Sequence, residues 1–272
     1  MGASSIFVTY VDELIYHLDT ITSFSRVRDT ALKQINVGAL PQAERDLALG
    51  AFKSPAFSVD RLLPMFFLSL HTGFEEFLRQ LVIEFADEVN SRGLSYVEAL
   101  SRCPPLLQWN MKQTGAGLLT VFEPLDHLDL DFNALAKNLA TTLGDSEQAL
   151  LNGSTLAIRE RSFNSTGIAY YFKRLGLTLS WTEMCKEKSL QLAFGGTGPT
   201  KTATDVQTFL DASLKARNRL AHSQAASMQF TRQEIDSNAV KLKALAAVFD
   251  SKVQNQINFL CPPRKAKQPA RK

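Results

Sequence analysis

The segment from Arg217 to His222 reads RNRLAH and places an arginine, an asparagine and a histidine close together on a predicted helix. The guanidinium of arginine stays charged and can hold phosphate oxygens with two parallel hydrogen bonds. Histidine has an unperturbed pKa that lets it accept and donate protons near neutral pH. A permanent cation, an amide and an imidazole are the parts that cleavage of a phosphodiester without a metal ion requires.

The helical geometry of this segment favours a site built from two copies of the chain. At about 100° per residue, Asn218 and His222 lie about 40° apart on one face, whereas Arg217 lies about 140° from His222. One helix is therefore a poor active site, and a dimer interface would bring two such sets to a shared cleft. The spacing alone is a weak signal. In the alternative interpretation Asn218 is a solvated helix residue and His222 is a polar residue near a helix end.

Three segments resemble the HEPN superfamily in their order and spacing. Residues 205–223, which end in RNRLAHS, resemble its signature helix, in which R-N-x-x-x-H stands near the end. Residues 68–79, LSLHTGFEEFLR, resemble the core helix of the RiboL-PSP type of HEPN domain. Residues 161–176 are similar to the helix and turn that precede the signature helix in that group. Together the three segments extend over most of residues 60–225.

The resemblance implies an all-helical, usually dimeric domain. Many members are metal-independent ribonucleases that leave a 2′,3′-cyclic phosphate, and many are toxins or effectors of defence against phage. By resemblance, His222 would move protons at the ribose 2′-hydroxyl or the leaving oxygen, Arg217 would stabilise the transition-state phosphate, and Asn218 would orient groups in the cleft. Some relatives keep the fold and only bind partners, so the fold does not grant the activity.

Three polar residues of the predicted core helix are accessory candidates, namely His71, Glu75 and Glu76. His71 and Glu75 share a helix face, but H-E-x-x-H is absent and no other histidine has ligand spacing, so we predict no metal site. The favoured interpretation makes His71 a polar group packed beside the signature helix; the alternative is an accessory catalytic role. A buried glutamate beside the imidazole would raise its pKa and orient it.

Residues 195–202, GGTGPTKT, superficially resemble a phosphate-binding loop. The pattern G-x-x-x-x-G-K-[ST] requires glycine immediately before the lysine, where Thr200 stands, and no strand precedes the segment. We therefore predict a loop before the signature helix and no nucleotide cofactor.

Composition places the chain among folded globular proteins. Its 272 residues, of which 45% are apolar, suffice for one large domain or two small ones. The three cysteines are widely spaced and form no C-x-x-C pair, which favours a reducing compartment. No secretory signal is visible, and the most apolar stretch, residues 62–85, holds too many charges for a membrane span. We therefore predict a cytoplasmic protein without a membrane association.

Positive charge is concentrated at the C-terminus. The net charge is +3, and residues 261–272 contribute five basic residues and no acid, which leaves −2 on residues 1–260. We predict that this tail is disordered. It serves solubility or, alternatively, attracts phosphates without regard to sequence.

Apolar spacing predicts helices and no strands. The predicted helices are 5–36, 41–50, 61–91 with Pro64 in the first turn, 95–101, 133–143, 146–151, 155–161, 165–175 with Gly176 as C-cap, and 229–259. Residues 106–131 are expected to form a long connection with one or two short helices, and residues 181–194 a helical or irregular piece. The signature helix is predicted from Thr204 or Asp205 to about Ala226.

These observations predict an all-α, HEPN-like helical bundle with additional helices over residues 1–260, in which residues 1–60 belong to the core or form an N-terminal extension. The predicted function is a homodimeric, metal-independent endoribonuclease that needs no cofactor, acts on RNA and serves as a toxin or in phage defence. The rival is a non-catalytic helical module that binds a partner protein, such as an antitoxin or a defence ATPase. A third interpretation is a protein that binds nucleic acid through its basic C-terminal tail.

Overall fold

The computed structural model describes residues 2–37, 42, 59–119, 131–143, 150–158, 163–221 and 228–262. These residues form eleven helices and no strand, so the predicted all-α class is confirmed. The helices are α1 (Ala3–Val37), α2 (Val59–Ser91), α3 (Tyr96–Arg102), α4 (Pro104–Leu119), α5 (Phe132–Leu143), α6 (Gly153–Leu156), α7 (Ser165–Lys173), α8 (Trp181–Met184), α9 (Lys188–Phe194), α10 (Pro199–Ala221) and α11 (Arg232–Leu260).

Helix α2 is the centre of the core. It packs against α1, α11, α10 and α6, and α1 also packs against α11. Because neighbours surround it, its apolar residues occupy more than one face, and a helix with so broad an apolar surface must be buried. Its buried residues are Leu63, Phe66, Phe67, Leu70, His71, Phe74, Phe77, Leu78, Leu81, Val82, Phe85, Ala86 and Val89.

Helix α10 lies against α2 and is supported from its other sides by α7, α8 and α9. The start of α7 is joined to it directly, since Asp211 Oδ1 accepts a hydrogen bond of 2.9 Å from the backbone N–H of Ser165. Asn164 caps the same end by accepting from the N–H of Gly167 at 2.7 Å. The first N–H groups of a helix lack partners within the helix. Both bonds satisfy N–H groups at the start of α7, and the bond to Asp211 also fixes this end of the helix relative to α10.

Gly176 and the three cysteines all lie in connections that follow helices. Gly176, at the turn after α7, has φ of 74° and lies so close to the Cys103 sulfur that a Cβ would collide with it. This agrees with the predicted C-cap. Cys103, Cys185 and Cys261 are all buried free thiols. Cys261 follows α11 directly, and its carbonyl accepts from Arg92 at 3.2 Å, so the described fold extends to this residue.

Several predicted helices are confirmed to within a few residues. They correspond to α1, α2, α3, α5, α7 and α11, and the short pieces α8 and α9 occur where a helical or irregular segment was expected. The predicted helix 41–50, except Gln42, and residues 144–149, 222–227 and 263–272 lie outside the described residues. No helix in the described ranges combines the length and the apolarity that crossing a membrane needs.

The expectation that residues 106–131 form a long connection with one or two short helices was wrong for residues 106–119, which belong to the continuous helix α4. Residues 120–130 lie outside the described residues. Proline is tolerated in the first turn, where its missing N–H has no partner to lose. Long-range contacts outweigh the glycines further on. Asn110 donates to the carbonyl of Leu150 at 2.9 Å and accepts from the N–H of Asn152 at 2.8 Å, which ties α4 to the segment before α6.

Other boundaries also differ from expectation. Helix α10 begins at Pro199, five or six residues before the predicted cap at Thr204 or Asp205, again with proline in the first position. Pro64 is the sixth residue of α2 instead of a first-turn residue, because the helix begins at Val59, two residues before its predicted start. Of the short helix predicted over 155–161, only residues 155 and 156 are helical, as the end of α6; Ala157 and Ile158 are not helical, and residues 159–161 lie outside the described residues. Leu150 and Leu151, the described end of the helix predicted over 146–151, are not helical either. Helix α11 begins at Arg232 after its Thr231 cap.

Candidate functional site

Arg217 lies near the C-terminal end of α10 and makes an ion pair with α2. Its Nη2 donates to Oε2 of Glu75 at 3.2 Å, and its Nη1 donates to Oδ1 of Asn218 at 3.2 Å. The side chains of Arg217 and Glu75 are 22% and 14% exposed. This pair is therefore partly sheltered from water and open on one side. A charge interaction is stronger in such surroundings than at a fully exposed surface.

The inner side of the same guanidinium faces the protein. Nε of Arg217 is buried and has no hydrogen-bond partner among the described residues. Because a buried donor without a partner is unfavourable, this arrangement is maintained by the contacts of the two Nη groups. Because Nε is buried, the exposed 22% of the Arg217 side chain belongs to its other atoms.

The structure thus brings together two of the three residues that were predicted to be catalytic, Arg217 and Asn218. The third, His222, lies outside the described residues, so its role stays a prediction. In the sequence it follows Ala221, the last residue of α10, and stands four residues after Asn218.

His71 belongs to α2 and is buried where this helix meets α10 and α11. Its ring lies 4.3 Å from that of Phe67 and 6.1 Å from that of Phe209 on α10, measured between centroids. Nε2 is 3.2 Å from Oδ1 of Asn238 on α11. The amide nitrogen of Asn238 donates to the carbonyl of Glu234 at 2.6 Å, so its oxygen faces the imidazole and Nε2 carries the proton. This is the polar group beside the signature helix that the sequence favours.

Burial lowers the pKa of His71 to about 4; the hydrogen bond with Asn238 opposes this shift, and the nearby charge of Arg217 adds to it. The imidazole is therefore neutral near pH 7. The condition under which a glutamate would raise this pKa is not met, because the ring's hydrogen-bond partner is the Asn238 amide and desolvation dominates. A group with so low a pKa is a poor proton acceptor at neutral pH.

The adjacent carboxylates Glu75 and Glu76 have different surroundings. Glu76 is exposed and pairs with Arg79 of its own helix at 3.1 Å, whereas Glu75 reaches across to Arg217. Successive residues of a helix point about 100° apart, so only one of two neighbours can face α10. The structure therefore places Glu75 at the candidate site and Glu76 outside it.

Aromatic side chains hold the middle of α10 in place. Phe209 makes an edge contact with Phe194 of α9 at 5.5 Å, and Lys241 of α11 lies 5.3 Å from the Phe209 ring centroid. Phe67 stacks on Phe230 at 4.5 Å. These contacts lie beside His71 and support the part of α10 that precedes Arg217.

Two residues of this region were not singled out from the sequence. Asn238 is 167 residues from its partner His71, and no local pattern signals such a contact. Asp211 stands inside the segment that resembles the signature helix, but its role in capping α7 depends on how the two helices pack. Only the pairing of elements in space could have revealed either.

Two segments of the sequence superficially resemble a metal site and a phosphate-binding loop. The described residues contain no group of three or more His, Cys, Asp or Glu side chains that could hold a metal ion. Gly195 ends α9 in the left-handed conformation, and Lys201 pairs with Asp205 at 2.5 Å on the surface of α10. Residues 195–198 connect the two helices, as predicted, whereas residues 199–202 already belong to α10, so the loop expected over 195–202 is confirmed only in its first half.

A family model matches most of the chain. The model of the RiboL-PSP-HEPN family matches residues 44–255, a range that contains Glu75, Arg217, Asn218 and His222. No curated protein and no solved structure matches the chain.

Proposed function

The chain belongs to the RiboL-PSP-HEPN family, and on this premise we propose that it is a metal-independent endoribonuclease that acts as a homodimer. The observation that carries the proposal is the guanidinium of Arg217, which Glu75 and Asn218 hold at the partly open end of α10. It stands five residues before a histidine in the sequence. A fixed cation beside a proton-transfer group suits phosphodiester cleavage.

In the proposed reaction the ribose 2′-hydroxyl attacks its own 3′-phosphorus. The bond from phosphorus to the 5′-oxygen of the next nucleotide breaks, which yields a 2′,3′-cyclic phosphate and a free 5′-hydroxyl. One His222 accepts the proton of the 2′-hydroxyl, and a second proton reaches the leaving oxygen. Arg217 stabilises the extra negative charge on the phosphate oxygens in the transition state, and Asn218 keeps its guanidinium in place.

The need for two proton transfers supports the dimer. The attacking and leaving oxygens lie on opposite sides of the phosphorus, so one imidazole cannot serve both in the same step. Two copies related by a two-fold axis would supply one His222 to each side. The dimer also brings two Arg217 side chains to one strand.

The proposal is tested with purified protein and end-labelled RNA in excess EDTA. We expect cleavage with cyclic-phosphate ends, and loss of cleavage in His222→Ala and Arg217→Ala with little change in thermal stability. The matched control is Lys215→Ala, which removes one positive charge from an exposed position of the same helix. Intact RNA with the wild-type protein, or unchanged cleavage by His222→Ala, contradicts the proposal.

A non-catalytic interaction module is the second candidate, and one observation favours it. The ion pair of Arg217 with Glu75 joins α10 to α2, so it has a structural value without any substrate. Such a module would bind a partner protein such as an antitoxin or a defence ATPase. The ribonuclease, in contrast, would act as a toxin or in phage defence. Intact RNA together with a co-purifying protein supports the module.

Binding through the basic tail is separable from both. Residues 263–272 lie outside the described residues, and their charge would attract phosphates in a salt-dependent way. If deletion of residues 263–272 removes all RNA binding while His222→Ala keeps it, the tail is the binding element and the cleft is not.

A further inference from the structure

Glu75 connects two helices that are distant in sequence at the residue most important for the proposed chemistry. It stands 142 residues before Arg217, and its side chain is only 14% exposed. An arginine side chain has about 2 kcal/mol of rotamer entropy to lose when it is held in one geometry. A partner that fixes it before substrate binds removes that loss from the reaction step.

Three constraints act on the guanidinium at once. Nη2 is bonded to Glu75, Nη1 is bonded to Asn218, and Nε is buried. Because the group is planar, contacts at two nitrogens define its plane. The remaining hydrogens on the Nη atoms can then point in only one set of directions. A phosphate approaching the open side therefore meets donors that are already oriented.

We propose that Glu75 is a positioning residue, which fixes the plane of the Arg217 guanidinium so that it meets the same non-bridging phosphate oxygen in every turnover. The inference rests on the proposed ribonuclease activity. Catalysis through oriented donors depends on geometry at the level of tenths of an ångström to an ångström, so a loose guanidinium stabilises the transition state less.

Glu75 has two other conceivable roles, and each gives a different result. As a latch, its carboxylate would compete with phosphate for Nη2, and its removal would speed cleavage. As a structural contact only, its removal would lower the melting temperature and leave the rate per folded molecule unchanged. A positioning role lowers the rate of the chemical step and changes which oxygen is recognised.

The experiment uses a short RNA that the wild-type protein cleaves at one position, prepared with sulfur in place of either non-bridging oxygen of that phosphate. The two diastereomers, Rp and Sp, differ only in which oxygen is replaced. In EDTA we expect the wild-type protein to cleave one of them much faster. The ratio of the two rates reports whether Arg217 selects a single oxygen, and a loss of stability alone does not change it.

We expect Glu75→Ala to lower kcat by about 10- to 100-fold with KM changed by less than about threefold, because positioning acts on the transition state. The ratio of the Rp and Sp rates should move towards one. Glu75→Gln retains an oxygen that can accept from Nη2, so it should restore most of the ratio and of kcat. If Glu75→Ala does not fold, kcat and the ratio of the Rp and Sp rates are compared between Glu75→Gln and Glu75→Asp instead.

Glu76→Ala is the matched control, since it removes the neighbouring carboxylate, which pairs only with Arg79 among the described contacts. It should keep the wild-type kcat and ratio. Adding Glu75→Ala to Arg217→Ala should cause no further loss of kcat, because Glu75 acts through Arg217.

An unchanged ratio and kcat in folded Glu75→Ala overturn the inference while leaving the ribonuclease intact. Faster cleavage by Glu75→Ala and Glu75→Gln overturns it in favour of the latch. A wild-type protein that leaves every RNA intact removes the proposed function itself, and Glu75 loses this role with it.

Discussion

Arg174 and Arg217 both lie near the end of a helix, but their surroundings differ. Arg174 is 1% exposed, and its Nη1 donates to the carbonyls of Leu156 at 3.1 Å and Ile158 at 2.5 Å. The rings of Trp109, Tyr170 and Tyr171 lie between 5.4 and 5.8 Å from its guanidinium carbon. Arg217 is 22% exposed and is held by side chains.

The difference shows how a fold assigns two roles to one residue type. Arg174 satisfies main-chain carbonyls at the end of α6 and is enclosed by aromatic faces, so its donors serve the fold. Arg217 is anchored by a carboxylate and an amide and remains open on one side, so a ligand can reach it. Changes at Arg174 should therefore appear in stability, and changes at Arg217 in activity.

The largest expected effect is on stability, in Arg174→Met. Methionine can fill much of the space of the arginine stem, but the carbonyls of Leu156 and Ile158 lose their donor, and an unsatisfied buried polar group costs about 1–3 kcal/mol. We expect the free energy of unfolding to fall by about 2–5 kcal/mol, measured by urea titration. Lys173→Met removes the same charge from the exposed neighbouring position and should change it little. Equal free energies of unfolding for Arg174→Met and Lys173→Met would show that Arg174 does not serve stability in the way that distinguishes it from Arg217.

The second effect is on activity, in Arg217→Lys. Lysine keeps the charge and the attraction to Glu75 but lacks the planar, forked donor set. We expect RNA cleavage to slow by about 100-fold or more, because oriented donors at a developing charge contribute on this scale. The free energy of unfolding should stay within about 1 kcal/mol of wild type, since a charged pair remains. A large loss of stability with normal cleavage would assign Arg217 the same role as Arg174.

A third, smaller effect concerns the histidine beside Arg217. The pKa of His71 is about 4 when folded, below the value of 6.5 that we take for the unfolded chain. The folded state therefore disfavours the protonated form, so stability is full above pH 6.5 and falls as the pH drops towards 4. At pH 5 the loss from this group should be about 2 kcal/mol.

Urea titrations at pH 5 and pH 8 measure this dependence. His71→Gln keeps a donor for Asn238 and cannot titrate, so the wild-type protein should lose about 2 kcal/mol more than this variant between the two pH values. Identical pH dependence in both proteins would show that the imidazole is not protected in the folded state.

The sequence predicted the elements of the site better than their contacts. The core helix α2 and the position of Arg217 followed from apolar spacing and from the family resemblance. That Glu75 and not Glu76 meets Arg217 depends on the rotation of α2 about its axis, which is set by packing against four other helices. Neighbouring residues in one helix carry no local signal that distinguishes them in this respect.

The same limit explains the missed helix α4. Its prolines and glycines are local signals for a loop, and they were outweighed by contacts with residues about 40 positions away, such as that of Asn110 with Leu150. Tertiary contacts of this kind override local propensity. The prolines at the starts of α4 and α10 could have been interpreted as first-turn residues from the sequence, because proline favours that position.

The smallest predicted effect tests whether the two arginine regions are energetically independent. Asp211 of α10 caps α7, the helix that leads to Arg174, so it is the residue that joins them. Asp211→Ala removes this cap, and loss of a cap typically costs about 1 kcal/mol. We expect the free energy of unfolding to fall by that amount in both the wild-type and the Arg217→Lys backgrounds. A deviation from additivity above about 0.5 kcal/mol would show coupling between the ends of α7 and α10, because independent sites contribute separately. Additivity would show that the bond of Asp211 to α7 does not influence how Arg217 is held.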